Sequence, residues 1–158
     1  MINTNENIKK YLSELEDDDI KVRDAARSHL VSIGPAAVPA LIHQLKTDKE
    51  RCRREAAQIL GEIHDQTAVD DLVEALVDDS ISVEWAASKA LIKYDLKAIR
   101  PLREGLNRHL DSEHFCRCAF YILYTLNQTH QLGPNVQEML VVCAVLNRPP
   151  AQRGQQNM

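Results

Sequence analysis

Val83–Asp95 reads VEWAASKALIKYD, and this stretch decides the fold. Its pattern recurs in Val22–Gly34 (VRDAARSHLVSIG), Cys52–His64 (CRREAAQILGEIH) and Phe115–Asn127 (FCRCAFYILYTLN). When each copy is numbered from 1 to 13, position 5 is always alanine and position 9 always leucine, and successive position-5 alanines are 30, 31 and 32 residues apart. Repetition at such a period is typical of a solenoid, in which small structural units stack in a row.

An amphipathic segment precedes each copy of the motif. The first, over about residues 5–16, has one helical face formed by Ile8, Tyr11, Leu12 and Leu15. We call the helix before each motif A, the helix that carries the motif B, and each A–B pair a repeat. A fifth A helix without a B partner is predicted from Val136, Met139, Leu140 and Cys143. The predicted fold is therefore all-α, an α-solenoid of about four helix pairs plus a C-terminal capping helix.

The domain organisation follows from length and composition. A chain of 158 residues can form one domain with a continuous core, which we expect over residues 1–147. Residues 148–158 contain two prolines, a glycine and three glutamines, so a disordered C-terminal tail is predicted there.

Charge and hydropathy narrow the function classes. The net charge of -4 gives no general attraction to nucleic acid or to an anionic membrane. Met1–Lys10 lacks the apolar core of a signal peptide, and the longest apolar run, Met139–Leu146, is too short to span a bilayer. We therefore expect a cytoplasmic protein whose four cysteines are free thiols.

Two structural details are also predicted from the repeat. An aspartate stands four residues before position 1 of every motif, at Asp18, Asp48, Asp79 and Asp111. A short carboxylate at the start of a helix accepts hydrogen bonds from unpaired backbone N–H groups, so these aspartates are predicted to cap the B helices. His29 stands at position 8, an inward position in the other copies, and is predicted to be a hydrogen-bonded core histidine.

The string V-R-x-A-A-x-x-x-L-x-x-I-G in Val22–Gly34 resembles the HEAT-like repeat of the phycobilisome lyase type, and the resemblance covers about residues 6–146. It implies a right-handed superhelix with the A helices on the convex side and the B helices lining the concave side. Proteins that it resembles include subunits that attach or remove bilin pigments on phycobiliproteins, a metal-dependent hydroxylase and many scaffolds.

The resemblance also implies a ladder of ion pairs between repeats, in which an arginine at position 2 pairs with a turn aspartate of a neighbouring repeat. Arg23 and Arg53 fit that pattern, whereas Glu84 and Cys116 replace the arginine in the third and fourth motifs. The ladder is therefore expected in the first half of the chain only.

The sequence offers little to support catalysis. The hydroxylase branch that it resembles holds its metal through paired His-Glu dipeptides, and this sequence has none. His109 and His114 are separated by a predicted turn, while Cys116 and Cys118 lie about 200° apart around one helix, so neither pair can hold a metal ion unaided. No Gly-rich phosphate loop or serine nucleophile motif occurs. We predict no metal site, no cofactor and no catalysis by this chain alone.

A binding surface is predicted from the helical periodicity of the motif. At about 100° per residue, positions 3, 6, 7 and 10 lie opposite the core positions and should face the concave groove. This row changes from charged to aromatic along the chain, and Trp85 is the sole tryptophan. The predicted partner-binding residues are Trp85, Ile92, Lys89, Arg117, Tyr121, Tyr124 and Arg54. In an alternative interpretation, Phe120, Tyr121 and Tyr124 pack against the fifth A helix or the tail.

Three functional hypotheses follow. The first is a non-catalytic scaffold or adaptor module that binds a protein partner in the concave groove. The second is a subunit or accessory factor of a bilin lyase-type system that acts on phycobiliproteins, with Arg54 or Lys89 near the propionates of a tetrapyrrole and Cys116, at the edge of the groove, as the attachment thiol. The third is nucleic-acid binding by Lys49 and Arg51–Arg54, which the acidic composition and the interspersed Glu50 and Glu55 argue against.

Overall fold

Nine α-helices and no strands make up residues 4–146, the part of the chain that the structure, a computed structural model, describes. The helices are α1 (Thr4–Glu14), α2 (Ile20–Ile33), α3 (Val38–Gln44), α4 (Glu50–Ile63), α5 (Val69–Glu74), α6 (Ile81–Tyr94), α7 (Ile99–Arg108), α8 (Glu113–His130) and α9 (Pro134–Leu146). The predicted all-α class is confirmed. The predicted tail, residues 148–158, lies outside the described residues.

The helices pack as four A–B pairs and a cap. The B helices α2, α4, α6 and α8 lie side by side, because each contacts the next one along the chain. The A helices α3, α5 and α7 pack against their own B helices, and α9 is the fifth A helix, packed against α8. This arrangement is the predicted α-solenoid with a C-terminal capping helix. Within residues 4–146, none of the helices has the length and apolar character needed to cross a membrane.

The core is formed by the same motif positions in every repeat. The alanines at position 5 and the leucines at position 9 are completely buried in all four copies: Ala26, Ala56, Ala87 and Ala119, and Leu30, Leu60, Leu91 and Leu123. Alanine leaves room for the A helix to approach, and leucine fills the space between the two helices. The closest approach of two B helices needs a glycine, since a Cβ on Gly61 would lie 2.8 Å from both Cα and Cβ of Ala90.

Positions 4 and 8 of each motif pack against the preceding repeat. In the second repeat these residues, Glu55 and Ile59, are buried. In the first repeat the corresponding residues, Ala25 and His29, are exposed, because no repeat precedes them. The prediction of a core histidine at residue 29 is therefore wrong. The His29 ring instead stacks on Tyr11 of α1, with ring centroids 4.6 Å apart.

The prediction that aspartates four residues before each motif cap the B helices is also wrong. The capping residue stands one position later: the side chain of Asp19 accepts from Lys21 N–H, that of Ser80 from Ser82 N–H and that of Ser112 from Phe115 N–H. Lys49 occupies the same place before α4 and provides no side-chain cap. Each predicted aspartate therefore lies just outside its helix, where it is available for ion pairing.

The ladder of ion pairs is present at Arg53 and absent at Arg23. The guanidinium of Arg53 is buried between the second and third repeats, where its Nε and Nη2 donate to the two carboxylate oxygens of Asp78 at 2.8 Å each. Its Nη2 also donates to Asp79 at 2.6 Å. Arg23 instead donates to the backbone carbonyls of Asp17 and Asp18 in its own repeat, at 2.7 and 2.8 Å. The predicted pairing of Arg53 is confirmed, and that of Arg23 is wrong.

The fourth B helix is longer than its motif. Helix α8 continues to His130, so only residues 131–133 separate it from α9. The side-chain oxygen of Asn127 accepts hydrogen bonds from Leu132 N–H and from the amide of Gln137, both at 2.9 Å. These bonds fix the turn between α8 and the capping helix α9.

Candidate functional site

The solvent-exposed side of the row of B helices, which we call the B face, is formed by positions 3, 7 and 11 of each motif. Residues four apart lie on one side of a helix, so each repeat contributes one row. The rows are Asp24, Ser28 and Ser32; Arg54, Gln58 and Glu62; Trp85, Lys89 and Lys93; and Arg117, Tyr121 and Thr125. All twelve side chains are at least partly exposed.

The B face differs from the predicted groove at two positions of the motif. Positions 6 and 10 turn toward the next repeat, and Ala57, Gly61 and Ser88 are accordingly buried. Position 11, which the prediction omitted, belongs to the face and adds Glu62 and Lys93. The four-residue spacing from Trp85 to Lys89 and Lys93 was the sequence signal that could have identified this row.

Trp85 and Tyr121 form an exposed aromatic pair that bridges the third and fourth repeats. Their ring centroids are 5.1 Å apart with the planes tilted by 31°, a separation at which aromatic rings attract each other. Trp85 is 48% exposed and Tyr121 is 37% exposed. The Lys89 Nζ lies 5.0 Å from the centroid of the indole, within the range of a cation–π contact.

A cleft of about 310 Å³ opens beside this aromatic pair. We call it the Trp85 cleft, and its lining residues are Ile81, Glu84, Trp85, Ser88, Arg117, Cys118 and Tyr121. Of the predicted partner-binding residues, the structure brings together Trp85, Lys89, Arg117 and Tyr121. The walls are mainly apolar, and the cations lie at the rim.

The floor of the Trp85 cleft contains a buried carboxylate, Glu84, which accepts hydrogen bonds from Arg117 Nη2 at 2.8 Å and from His114 Nδ1 at 2.6 Å. Because a carboxylate only accepts, Nδ1 of His114 carries the hydrogen. Both partners belong to the fourth repeat, so Glu84 holds α8 against α6 and fixes the position of the Arg117 guanidinium. Sequence reasoning recorded Glu84 only as a departure from the family pattern.

The thiol of Cys118 also lies at the floor. Burial of this thiol raises the pKa of Cys118 above its ordinary value, as the nearby Glu84 carboxylate also does, so the thiol is neutral and unreactive at neutral pH. The side chain of Ser88 is also buried. Cys118 and Ser88 therefore contribute to packing at the cleft rather than to reactivity.

Four of the predicted partner-binding residues do not line the Trp85 cleft: Lys89, which contacts the indole of Trp85 from beside the cleft, and Arg54, Ile92 and Tyr124. Arg54 is one repeat away, and its Nη2 donates to Glu55 at 3.2 Å. Ile92 is half-buried at position 10 and packs against the core. Tyr124 is half exposed and stacks on Phe120, with ring centroids 5.9 Å apart. Tyr124 therefore belongs to the open end of the row of B helices, where no fifth B helix within residues 4–146 covers position 10.

The basic cluster at Lys49 and Arg51–Arg54 is paired with carboxylates throughout. Lys49 pairs with Glu16, and Arg51 lies 3.8 Å from Asp18. Arg53 and Arg54 pair with the carboxylates described above. The contacts of Lys49, Arg51 and Arg53 join neighbouring repeats and that of Arg54 lies within α4, which explains the cluster without a nucleic-acid ligand.

His109, Cys116 and Cys143 have structural roles. His109 Nε2 lies 3.0 Å from Glu74, on the side of the A helices. The expectation that Cys116 lies at the edge of the groove is wrong, because its side chain is completely buried. Burial also raises the pKa of Cys143, on α9, to about 12. Among residues 4–146, no three His, Cys, Asp or Glu side chains are grouped so as to hold a metal ion.

Comparison with known proteins supports the repeat assignment. A family model of HEAT repeats matches residues 8–92 and 39–113. The chain belongs to the HEAT repeat family. The matched residues of this HEAT repeat protein run from within α1 to the start of α8, so they include Trp85 but not Tyr121. Among curated proteins, none matches the chain.

Two solved structures share the fold. The complex of CpcE and CpcF of phycocyanin lyase from Nostoc sp. PCC7120 matches with a TM-score of 0.64 and 22% identity, over 92% of this HEAT repeat protein and 91% of the lyase chain. An engineered protein matches with a TM-score of 0.50 and 21% identity, over 87% and 69% of the two chains. The repeat type predicted from the motif is confirmed. At these identities the likeness concerns the fold.

Proposed function

We propose that this HEAT repeat protein is a non-catalytic scaffold or adaptor module that binds a protein partner on its B face, with the Trp85 cleft as the anchor point. The observation that supports this most strongly is the half-exposed indole of Trp85 in a cleft between two repeats. The fold does not require tryptophan there, because the same motif position holds Asp24, Arg54 and Arg117 in the other repeats. An exposed aromatic side chain without a structural role is a feature of protein-binding sites.

The surroundings of the indole suit a binding hot spot. The Tyr121 ring and the Lys89 ammonium contact Trp85 before any partner arrives, so its ring loses little conformational freedom on binding. Glu84 holds Arg117 at the rim in the same way. Tryptophan, tyrosine and arginine are the residue types that contribute most of the free energy of association in protein interfaces. The cleft brings all three together on one rigid scaffold.

The test compares the proteins captured from a host-cell lysate by the wild type and by Trp85→Ala. The matched control is Leu96→Ala, since Leu96 is also 48% exposed but lies outside the Trp85 cleft. For a purified captured partner, we expect Trp85→Ala to weaken binding by about 2 kcal/mol, a factor of about 30 in Kd. The thermal midpoint should change little, and Leu96→Ala should bind as the wild type does. Equal affinity of Trp85→Ala and wild type would refute the proposal.

A second candidate is an accessory factor of a bilin lyase-type system acting on a phycobiliprotein. It is favoured by the TM-score of 0.64 with a chain of the phycocyanin lyase complex. The aromatic rings and cations of the Trp85 cleft would suit a flat tetrapyrrole with carboxylate side chains. The burial of Cys116 removes the thiol considered for covalent attachment, so any such binding would be non-covalent. Mixing the purified protein with free bilin should then shift the visible absorption band, and an unchanged spectrum would refute this candidate.

A further inference from the structure

We propose that the partner segment bound at the Trp85 cleft is acidic, and that it carries an apolar or aromatic side chain next to its carboxylates. This inference rests on the proposed function and names the chemistry of the partner. It is argued from the distribution of charge on the B face and from the lining of the cleft.

The B face carries cations beside the cleft although the chain as a whole is acidic. The formal net charge of the chain is -4. At positions 3, 7 and 11 of the third and fourth repeats, by contrast, there are three cations, Lys89, Lys93 and Arg117, and no carboxylate. Glu113, in the first turn of α8, is an exposed carboxylate of the fourth repeat outside these positions. The remaining cation at positions 3, 7 and 11 is Arg54, which pairs with Glu55, so the excess of cations lies in the part of the face that contains the aromatic pair.

The cations beside the cleft are available to a ligand. In the described residues 4–146, neither Lys89 nor Lys93 has a carboxylate within ion-pairing distance, and the ammonium of Lys89 contacts the indole of Trp85. Arg117 uses Nη2 to bind Glu84, yet its side chain remains 53% exposed. A guanidinium has five N–H donors, so most of its donors still face solvent. A partner carboxylate would therefore meet two lysines that have no carboxylate partner within residues 4–146, together with the remaining donors of Arg117.

The lining of the Trp85 cleft indicates the apolar or aromatic side chain of the proposed partner segment. Ile81, Trp85 and Tyr121 provide an apolar wall, and Ile81 is among the most exposed large apolar side chains of the protein. Burying this wall requires an apolar or aromatic side chain from the partner. Lys89 and Lys93 continue the row of Trp85 along α6 at four-residue steps. Partner carboxylates that precede or follow the apolar side chain on the α6 side would therefore reach these lysines. Partner carboxylates on the α8 side would reach Arg117.

Three synthetic peptides of equal length test the inference. Each has a central phenylalanine and no tryptophan, flanked in the first peptide by glutamates, in the second by glutamines and in the third by lysines. The emission of Trp85, the sole tryptophan of the chain, reports binding at the cleft. We expect the glutamate peptide to bind about tenfold more tightly than the glutamine peptide at low salt, with the difference decreasing as ionic strength rises. The lysine peptide should bind most weakly.

Charge-reversal variants test whether Lys89 and Lys93 cause the preference for the glutamate peptide. The double variant Lys89→Glu and Lys93→Glu should lose the preference for the glutamate peptide. The matched control is the double variant Lys9→Glu and Lys21→Glu, which makes the same change of charge at exposed lysines of the first repeat. This control should keep the preference for the glutamate peptide. A preference that survives reversal of Lys89 and Lys93 would overturn the inference. So would glutamine or lysine peptides that bind as tightly as the glutamate peptide, or no binding by any of the three.

Three further outcomes are distinct. The acidic turn Glu16–Asp19 of this chain is followed by the exposed Ile20, so a second copy of the chain carries a segment of the inferred chemistry. Self-association in analytical ultracentrifugation that disappears in Trp85→Ala would support the acidic and apolar chemistry and identify a second copy as the source of the segment. Failure of all three peptides together with Trp85-dependent capture of a lysate protein would leave the proposed function standing and remove only the acidic chemistry. Capture that does not depend on Trp85 would refute the proposed function itself.

Discussion

Replacing Gly61 with alanine tests the backbone contact between α4 and α6, because two opposing effects set the sign of the result. Alanine is favoured over glycine inside a helix by about 1 kcal/mol, so the substitution should stabilise α4 if nothing else changed. The added Cβ, however, would lie 2.8 Å from both Cα and Cβ of Ala90. Backbone and Cβ atoms cannot rotate away, so α4 and α6 must move apart.

The cost of that separation should exceed the gain in helix propensity. Inserting a methyl group into a well-packed contact costs about 1–3 kcal/mol, and this contact joins the two most extensively packed B helices in the described part of the chain. After subtracting the gain of about 1 kcal/mol in helix propensity, we expect Gly61→Ala to lower the free energy of unfolding by up to about 2 kcal/mol and the thermal midpoint by up to roughly 6 °C.

Urea unfolding followed by circular dichroism measures this change. The matched control is Ala25→Gly in α2, where Ala25 is exposed, so its effect reports helix propensity alone. In the control, the free energy of unfolding should fall by about 1 kcal/mol. If Gly61→Ala were instead stabilising by a similar amount, α4 and α6 would not meet at Gly61 and the reasoning would fail.

Two further predictions concern buried polar groups. Arg53→Ala should lower the free energy of unfolding by about 3 kcal/mol, because it leaves the buried Asp78 carboxylate without its cation, whereas Arg23→Ala should cost much less. Burial raises the pKa of Asp78, but the hydrogen bonds from Arg53 and from Ser80 N–H outweigh this and hold it below the ordinary value. This contribution to stability is thus present above pH about 4 and is lost as the pH falls further, and urea unfolding across that range should show a smaller loss in Arg53→Ala. Finally, the buried thiols of Cys116 and Cys143 should react with a thiol reagent only after denaturation, and rapid labelling of the native protein would contradict the packing of α8 and α9.

The sequence was sufficient for the fold because each repeat has the same inward residues. An alanine at position 5 and a leucine at position 9, recurring every 30 to 32 residues, define the helix pairs and their order. Trp85 was also identifiable, since it replaces a charged residue at an outward position. The pairing of Arg53 with a turn aspartate followed from the family pattern.

The remaining details depend on neighbours that a single helix does not reveal. Periodicity separates inward from outward positions, yet it does not say which side of a B helix meets the next repeat. For that reason Ile92 was assigned to the groove and Lys93 was not. His29 illustrates an end effect, because its position is inward only when another repeat precedes it. The observed N-caps lie one residue after the predicted aspartates, because adjacent aspartates and serines compete for the same backbone N–H groups.

The glycine contact between α4 and α6 has a consequence for how the solenoid bends. Each repeat touches only its neighbours, so curvature changes by small rotations at the junctions between repeats. Gly61 and Ala90 hold the central junction at backbone distance, whereas side chains bridge the junction between α6 and α8, through the Glu84–Arg117 ion pair and the Trp85–Tyr121 ring pair. Trp85 and Tyr121 stand on opposite sides of that junction. A ligand that contacts both rings would therefore fix the angle between the third and fourth repeats, and with it the curvature of the C-terminal half.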